Sequence, residues 1–203
     1  MNRIKIPVFP LNGTIFFPQS SLPLNIFEQR YLDMVDFALS HNRLIGMIQK
    51  DDNKKFYKIG CLGKIVSFEE TSDGRYLIDI IGKNYYSILK QSITDKNRKF
   101  IIAEIKIEDN EKNNKISLKN FNRILLLEKY KSCTNKLNYK IDFEILQQID
   151  SDDLIKFIAM SFPFSTADKQ MLLETYNLNE LGNKLTSLFD FYSPNEKNKN
   201  LIN

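Results

Sequence analysis

Several residue types that mark particular kinds of protein are scarce or absent in this chain of 203 residues, which has no tryptophan, one histidine and two cysteines. A zinc site needs three or four good ligands, and His41 with the widely separated Cys61 and Cys133 does not predict one. Two isolated cysteines outside any CxxC pair indicate reduced thiols in a cytoplasmic protein. Neither a metal nor a cofactor is expected.

Long hydrophobic runs and a dominant charge are also missing. No apolar run approaches the roughly 18 residues that a membrane span requires. The N-terminus lacks the apolar segment of a signal peptide, so neither a membrane nor secretion is expected. The chain has 29 Lys+Arg against 25 Asp+Glu, and the resulting net charge of +4 is too small to indicate nucleic-acid binding.

The motifs of common enzyme chemistry are absent from the sequence. It contains no phosphate-binding G-x-x-x-x-G-K-[ST] loop, no G-x-S-x-G nucleophile motif and no H-E-x-x-H zinc motif. His41 follows a predicted helix and is expected to be exposed at its C-terminal end. Cys61 lies in an apolar strand, which indicates a buried and unreactive thiol. No catalytic residue is predicted.

The first half of the chain has the alternating pattern of β-strands. Strands are predicted at Ile4–Val8, Leu44–Gln49, Tyr57–Phe68, Tyr76–Ile81, Tyr85–Leu89 and Phe100–Ile107. Prolines at positions 7, 10, 18 and 23 place the intervening segment along a sheet edge or over it, because proline cannot donate to a strand ladder. Many short strands interrupted by glycines predict a small closed or nearly closed β-barrel.

Two local signals lie between these strands. Ile26–Leu39 has the period of a helix, with Phe27 and Tyr31 on its apolar face. Ser72–Arg75 predicts a hairpin turn, because Asp-Gly suits the positive φ angles of tight turns.

The second half of the chain has a helical pattern. After the charged segment Glu108–Lys115, a candidate domain boundary, the apolar period changes from about 2 to about 3.6. Helices are expected to begin near Ser117 and at Ser151, with Ser165 and Asn179 as N-caps of the last two. The sequence thus predicts an α+β fold with a strand domain at 1–110, a helical domain at 111–194 and a polar tail at 195–203.

The most specific signal is a series of segments rich in proline and aromatic residues: Ile6–Leu11, then Phe17-Pro18, then Leu22–Tyr31. Further similarity lies in Ile59–Ile65, Asp73–Tyr76, Ile81-Gly82, Pro163–Ser165 and Asp168–Glu174. Together these segments resemble the LON substrate-binding domain, the N-terminal domain of ATP-dependent Lon proteases. One run differs, because Tyr85–Ile88 stands where the family often has Arg-Phe-x-Ile.

The resemblance implies a fold and a function. The fold is a PUA-like β-barrel with one helix, joined to an α-helical bundle. In the full-length proteases this part helps to recognise substrate polypeptides and to assemble the ring. We therefore expect a stand-alone, non-catalytic polypeptide-binding module without ATPase or peptidase activity. Its expected partners are unfolded or partner polypeptides and an ATP-dependent protease.

The candidate binding residues come from the family motif, and they are Phe16, Phe17, Pro18, Leu24, Phe27, Glu28, Arg30 and Tyr31. Phe16-Phe17-Pro18 is an apolar loop that, if exposed, could anchor an unfolded chain; alternatively, Phe17 fills the junction between barrel and helices. Phe27 and Tyr31, four residues apart, are expected to plug one barrel end together.

Glu28 and Arg30 are two residues apart, so on a helix they do not face each other and each is expected to find a separate partner. Ion pairs that hold the fold and a binding role both remain open for them.

Two other functions compete with polypeptide binding by a stand-alone domain. RNA binding is suggested by other PUA-like barrels, although this rests on fold analogy and the strand half has no basic stripe with interleaved aromatic residues. An adaptor for an ATP-dependent protease is the other alternative, and it predicts co-purification with such a protease.

Overall fold

The computed structural model of the chain describes residues 3–11, 13–93, 99–108 and 121–192, with the backbone alone for 91–93. The predicted boundary at 109–115, the helix start near Ser117 and the polar tail at 195–203 lie outside these residues. In chain order the elements are β1 Arg3–Pro10, β2 Ser21–Ile26, α1 Gln29–Leu39, β3 Leu44–Ile48, β4 Ile59–Glu70, β5 Tyr76–Ile93, β6 Ile101–Ile107, α2 Arg123–Lys136, α3 Phe143–Gln148, α4 Ser151–Ser161, α5 Thr166–Leu173 and α6 Leu178–Tyr192.

The chain divides into two compact units that interleave in sequence. One comprises Met1–Lys112 together with Pro163–Glu174, and we call it the sheet unit. The other comprises Asn113–Phe162 together with Thr175–Asn203, and we call it the helical unit. The division at residue 110 expected from the sequence stays a prediction. The structure adds that α5, although it lies among the later helices in sequence, belongs to the sheet unit.

The six strands form one mixed sheet in the order β2-β5-β4-β3-β1-β6. β1 and β3 pair in parallel, with α1 in the connection between them, and the other neighbours pair antiparallel. β6 also pairs with the second half of β5, so the series of strand pairings returns to β5. A mixed sheet with helices agrees with the predicted α+β class.

β5 is one long strand, whereas the sequence predicted two strands separated at Gly82. The strand continues because Gly82, which has no Cβ, leaves room for the carbonyl of Phe17. The register against β4 shifts next to Gly63, which pairs with Gly82. The predicted hairpin turn before β5 is confirmed: Thr71 N–H donates to the Arg75 carbonyl at 2.9 Å, and Gly74 has φ +80°.

One cluster in the core of the sheet unit packs aliphatic side chains around the aromatic ring of Tyr86. Tyr86 on β5 is fully buried, and it lies directly opposite Gly60 on β4. Its hydroxyl donates to the Met47 carbonyl at 3.2 Å. Burial raises the pKa of this phenol well above its usual value, so it stays protonated and donating. Around it pack Ile6, Val8, Ile48, Leu62, Ala103 and Ile105.

Helix α5 contributes two buried polar side chains to the sheet unit. Lys169 Nζ donates to the Gly13 carbonyl at 2.7 Å. The Gln170 amide donates to the Ile59 carbonyl at 3.1 Å and accepts from the Gln49 amide at 3.1 Å. Because a buried polar group is costly without a partner, these bonds fix where α5 packs. The predicted cap is confirmed: Ser165 Oγ accepts from the Asp168 N–H at 3.1 Å.

Lys169 provides a pH-dependent test of this packing. Burial lowers the pKa of its ammonium group from 10.5 to about 8. Above pH 8 the folded chain therefore loses a proton that the unfolded chain keeps, so this residue makes the free energy of unfolding rise with pH. Relative to Lys169→Met, the wild type should gain about 1 kcal/mol between pH 8 and pH 9. Urea denaturation of both proteins measures the difference, and equal slopes would contradict it.

The helical unit is organised around three aromatic side chains. Tyr130 on α2 and Phe189 on α6 have ring centroids 5.9 Å apart, and Phe162, at the end of α4, lies 4.9 Å from Phe189. Lys129 on α2 also pairs with Asp190 on α6 at 2.6 Å. None of the helices in the described part of the chain combines the length and hydrophobicity that crossing a bilayer requires.

The start of one later helix, α6, differs from the prediction. α2 begins at Arg123, because the Asn122 side chain caps it by accepting from the Leu125 N–H. α6 begins at Leu178, and Asn177 caps it, with its side chain accepting from the Glu180 N–H at 3.1 Å. Asn179, the predicted cap, therefore lies within the helix. The predicted helix start at Ser151 is confirmed.

Candidate functional site

A groove of about 430 Å³ opens on the sheet unit where β1 ends and α1 begins. Its walls are mostly apolar, and three charged side chains lie among them. It is lined by Phe9–Leu11 at the end of β1, by Leu24–Phe27 at the end of β2 and beyond it, by Glu28, Arg30 and Tyr31 at the start of α1, and by Lys50. Five of the eight candidate residues lie here: Leu24, Phe27, Glu28, Arg30 and Tyr31.

Phe27 projects from the chain between β2 and α1. The helix starts only at Gln29, and its N-cap Glu28 has an extended backbone (φ −76°, ψ 129°). Phe27 therefore does not share a helical face with Tyr31, and the expectation that the two plug a barrel end together is wrong. Tyr31 is 9% exposed, and its ring centroid lies 4.4 Å from that of Phe9, whereas Phe27 is 69% exposed. An apolar side chain of this size in a groove is available for a ligand.

Glu28 and Arg30 form an ion pair with each other, with Arg30 Nη2 2.7 Å from Glu28 Oε2. The expectation of separate partners is wrong because it assumed that both residues were helical. With Glu28 in the extended N-cap conformation, its carboxylate reaches the guanidinium two residues later. Both side chains are about half exposed, so the pair adds at most about 1 kcal/mol to stability. The guanidinium also lies 4.5 Å over the Tyr31 ring.

The electrostatics of the groove leave a net positive charge. Glu28 and Arg30 neutralise each other, and Lys50, two residues after β3, adds a cation. Lys50 Nζ lies 5.3 Å from the Phe56 ring centroid, and a backbone bridge joins the same two residues. Burial raises the pKa of the Tyr31 phenol, an effect that the Arg30 charge opposes, so Tyr31 is neutral near pH 7.

Phe16, Phe17 and Pro18, on the loop before β2, do not line the groove. Phe16 and Phe17 are 2% and 0% exposed, and Pro18 is half-buried. The interpretation that these rings are open to a ligand is wrong, because both are buried in the core. The Phe16 ring lies against Gly63, and Gly82 leaves room for the Phe17 backbone. Phe17 thus packs inside the sheet unit.

The residues considered for catalysis do not form a reactive site. His41 is exposed, and its Nδ1 lies 2.8 Å from the Phe37 carbonyl. Cys61 and Cys133 are unpaired and buried, and burial raises the pKa of both thiols. Among the residues with described positions, no cluster of three or more His, Cys, Asp or Glu side chains could hold a metal ion.

Sequence reasoning did not include Phe9–Leu11, Asn25, Ile26 or Lys50 in the site. Phe9–Leu11 and Asn25 belong to segments of the family motif, so the motif itself was a usable signal. Lys50 had no local signal, because it reaches the groove only through the fold.

The chain matches the family model of the ATP-dependent protease La (LON) substrate-binding domain over residues 5–190. It belongs to that family. It is 26% identical over 193 residues to the Lon protease of Buchnera aphidicola subsp. Schizaphis graminum, covering 88% of this chain and 24% of that protein. It is also 26% identical over 192 residues to Escherichia coli K12 Lon protease, with 88% and 24% covered. The chain thus spans about a quarter of the length of these relatives.

Solved structures share the fold. The Lon N-terminal domain protein from Xanthomonas campestris superposes with a TM-score of 0.63 at 18% identity, covering 91% of this chain and 98% of that one. The N-terminal domain of Mycobacterium avium complex Lon protease gives 0.65 at 17% identity, covering 95% and 100%. This chain thus has the Lon N-terminal domain fold, a mixed sheet with helices.

Proposed function

We propose that this protein binds unfolded or partner polypeptides in the groove and catalyses no reaction itself. The observation that carries the proposal is the exposed Phe27 in a mostly apolar groove built largely from the family's most specific motif. Family membership supports polypeptide binding in general.

Phe27→Ser should weaken binding of a chemically unfolded model protein by about tenfold or more. A phenylalanine buried on binding contributes about 1.5–3 kcal/mol, and serine cannot replace that contribution. The measurement is fluorescence anisotropy with a labelled, reduced and alkylated protein. Phe191→Ser is the matched control, since Phe191 is 72% exposed but lies on α6 outside the groove.

The control variant should bind within about twofold of the wild type, because an exposed side chain outside the site contributes little. Equal losses for both variants would point to general surface hydrophobicity and would contradict a defined groove. Wild-type protein that binds no unfolded protein at about 100 µM, where even modest affinity is detectable, would overturn the function itself.

The same proposal includes a stand-alone role in the cytoplasm and an ATP-dependent protease as partner. Two buried cysteines without a disulfide fit a reducing compartment. The mass of the native protein in a cell extract tests the stand-alone role. Affinity capture with mass spectrometry tests the protease partner.

For the architecture we propose a PUA-like barrel followed by a helical bundle. The return of the strand pairings from β6 to β5 supports the barrel, because a sheet that closes on itself hides most of its edges. The shared aromatic contacts of α2 and α6 support the bundle.

A further inference from the structure

We infer that the polypeptide ligand binds as an additional β-strand along the open edge of β2, with its side chains entering the groove. This inference rests on the proposed function and specifies how the ligand is recognised. Within the described part of the chain, β2 is the end strand of the sheet order and pairs only with β5. Its last residues, Leu24–Ile26, line the groove.

The direction of the β2 backbone groups follows from one hydrogen bond and one proline. Gly82 N–H, in β5, donates to the Ser20 carbonyl at 3.0 Å, so Ser20 faces β5. Backbone groups alternate between the two edges of a strand, so Leu22 and Leu24 also face β5. Ser21, Pro23 and Asn25 then face outward. Pro23 agrees with this, because a proline in a strand has its missing N–H on the unpaired side.

The outer edge of β2 therefore presents two N–H donors, from Ser21 and Asn25, and three carbonyl acceptors, from these residues and Pro23. All three residues are exposed. A row of alternating donors and acceptors at strand spacing is complementary to the backbone of another extended polypeptide. Such pairing recognises the backbone of the ligand and depends little on its sequence. This suits a protein whose ligands are unfolded segments.

A second copy of this chain fits the same edge less well. Two β2 edges pairing antiparallel about a central twofold axis would place Pro23 opposite Pro23. Both central N–H groups would be missing, so both central hydrogen bonds would be lost. A ligand segment without proline supplies the N–H that the Pro23 carbonyl can accept.

The groove beside this edge adds a preference for side chains. Phe27 and Leu24 offer apolar contacts. Because Glu28 is paired with Arg30, the positive charge of Lys50 is left for an acidic side chain of the ligand. The ligand class is thus an extended, proline-free segment of alternating apolar and polar residues that carries an acidic side chain.

Backbone methylation of a peptide tests the strand pairing. The probe is a fluorescein-labelled peptide of about eight residues, near the usual strand length, in which leucine and phenylalanine alternate with serine and one aspartate. Two further peptides carry N-methyl groups on alternate residues, one at odd and the other at even positions. Since only every second N–H faces β2, one methylated peptide should bind about thirtyfold more weakly and the other within about threefold.

Each outcome of the peptide experiment decides between explanations. If both methylated peptides bind as well as the parent, groove binding stands and the strand pairing is overturned. Equal large losses for both would also overturn the pairing. If the parent peptide does not bind and unfolded protein does not either, the proposed function fails and this inference fails with it. If the parent does not bind while unfolded protein does, the pairing alone is overturned.

A protein variant gives a second, independent test. Asn25→Pro removes an outward N–H without touching the bonds to β5, and its neighbour Leu24 already has the extended backbone that a following proline requires. It should bind the parent peptide about fivefold more weakly than Asn25→Ala, which loses the same side chain but keeps the N–H.

Equal affinities of the two Asn25 variants would overturn the strand pairing. If Asn25→Pro does not fold, the methylated peptides still decide the question with the wild-type protein. Sedimentation of the protein without peptide completes the test. A dimer that Asn25→Pro dissociates would assign the edge to a second copy and overturn a peptide ligand.

Discussion

Phe17→Ala is expected to lower the free energy of unfolding by about 3–5 kcal/mol. The side chain is fully buried, and truncation removes an aromatic ring from the core while its surroundings relax only in part. The Phe17 backbone is also fixed, because its carbonyl lies against Gly82 and accepts from the Ser20 N–H at 3.2 Å. The cavity therefore has little means to close. Urea denaturation followed by far-ultraviolet circular dichroism measures the change in a chain without tryptophan.

Phe27→Ala is the matched control for this experiment. It removes the same ring from the same family motif, but from a position that is 69% exposed. It should change stability by no more than about 0.5 kcal/mol. A similar loss of stability in both variants would mean that Phe27 also belongs to the core, and the groove would then lose its exposed apolar side chain.

Gly60→Ala is expected to lower the free energy of unfolding by about 2–3 kcal/mol, at the upper end of the range for overpacked cores. An added Cβ would meet the Met47 carbonyl and the hydroxyl of Tyr86. The Tyr86 ring lies directly across from Gly60 and is held by its hydrogen bond to Met47, so it cannot move aside cheaply. Urea denaturation at neutral pH measures the loss.

A double-mutant cycle identifies the cause. In the Tyr86→Leu background the ring and hydroxyl are absent, so Gly60→Ala should cost at least about 1 kcal/mol less than in the wild type. Because the Met47 carbonyl also obstructs the new Cβ, relief should be partial. Additive changes in the free energy of unfolding would show that the Tyr86 ring is not the reason why an alanine at position 60 is destabilising.

The sequence was informative where local chemistry decides the structure. The alternating strands, the Asp-Gly turn and the Ser165 cap each depend on residues within a few positions of one another. The proline-rich motif likewise located the groove, because five of its eight candidate residues line it. These features needed no knowledge of distant contacts.

The prediction from sequence was wrong where tertiary packing or an unusual N-cap residue determines the local structure. Glu28 is not among the residues preferred at an N-cap, so the periodic pattern extended the helix back over Phe27. Because the predicted helix began too early, Phe27 was expected to pack with Tyr31, and Glu28 and Arg30 were expected to have separate partners. Phe16 and Phe17 lie on a proline-rich loop, which suggested exposure, but both side chains are buried. Gly63 leaves space for the Phe16 ring, and Gly82 leaves space for the Phe17 backbone.

The placement of α5 has a consequence for the order of events on the ribosome. The strands emerge first, but Gln49 and the Gly13 carbonyl obtain their partners only when Gln170 and Lys169 have been synthesised. By then α2, α3 and α4 have already been synthesised. The sheet unit therefore cannot finish folding as an independent N-terminal piece. The N-terminal half of the nascent chain is therefore synthesised first but completes its folding late. A fragment that ends after the strands lacks α5, the helix whose side chains complete the sheet unit.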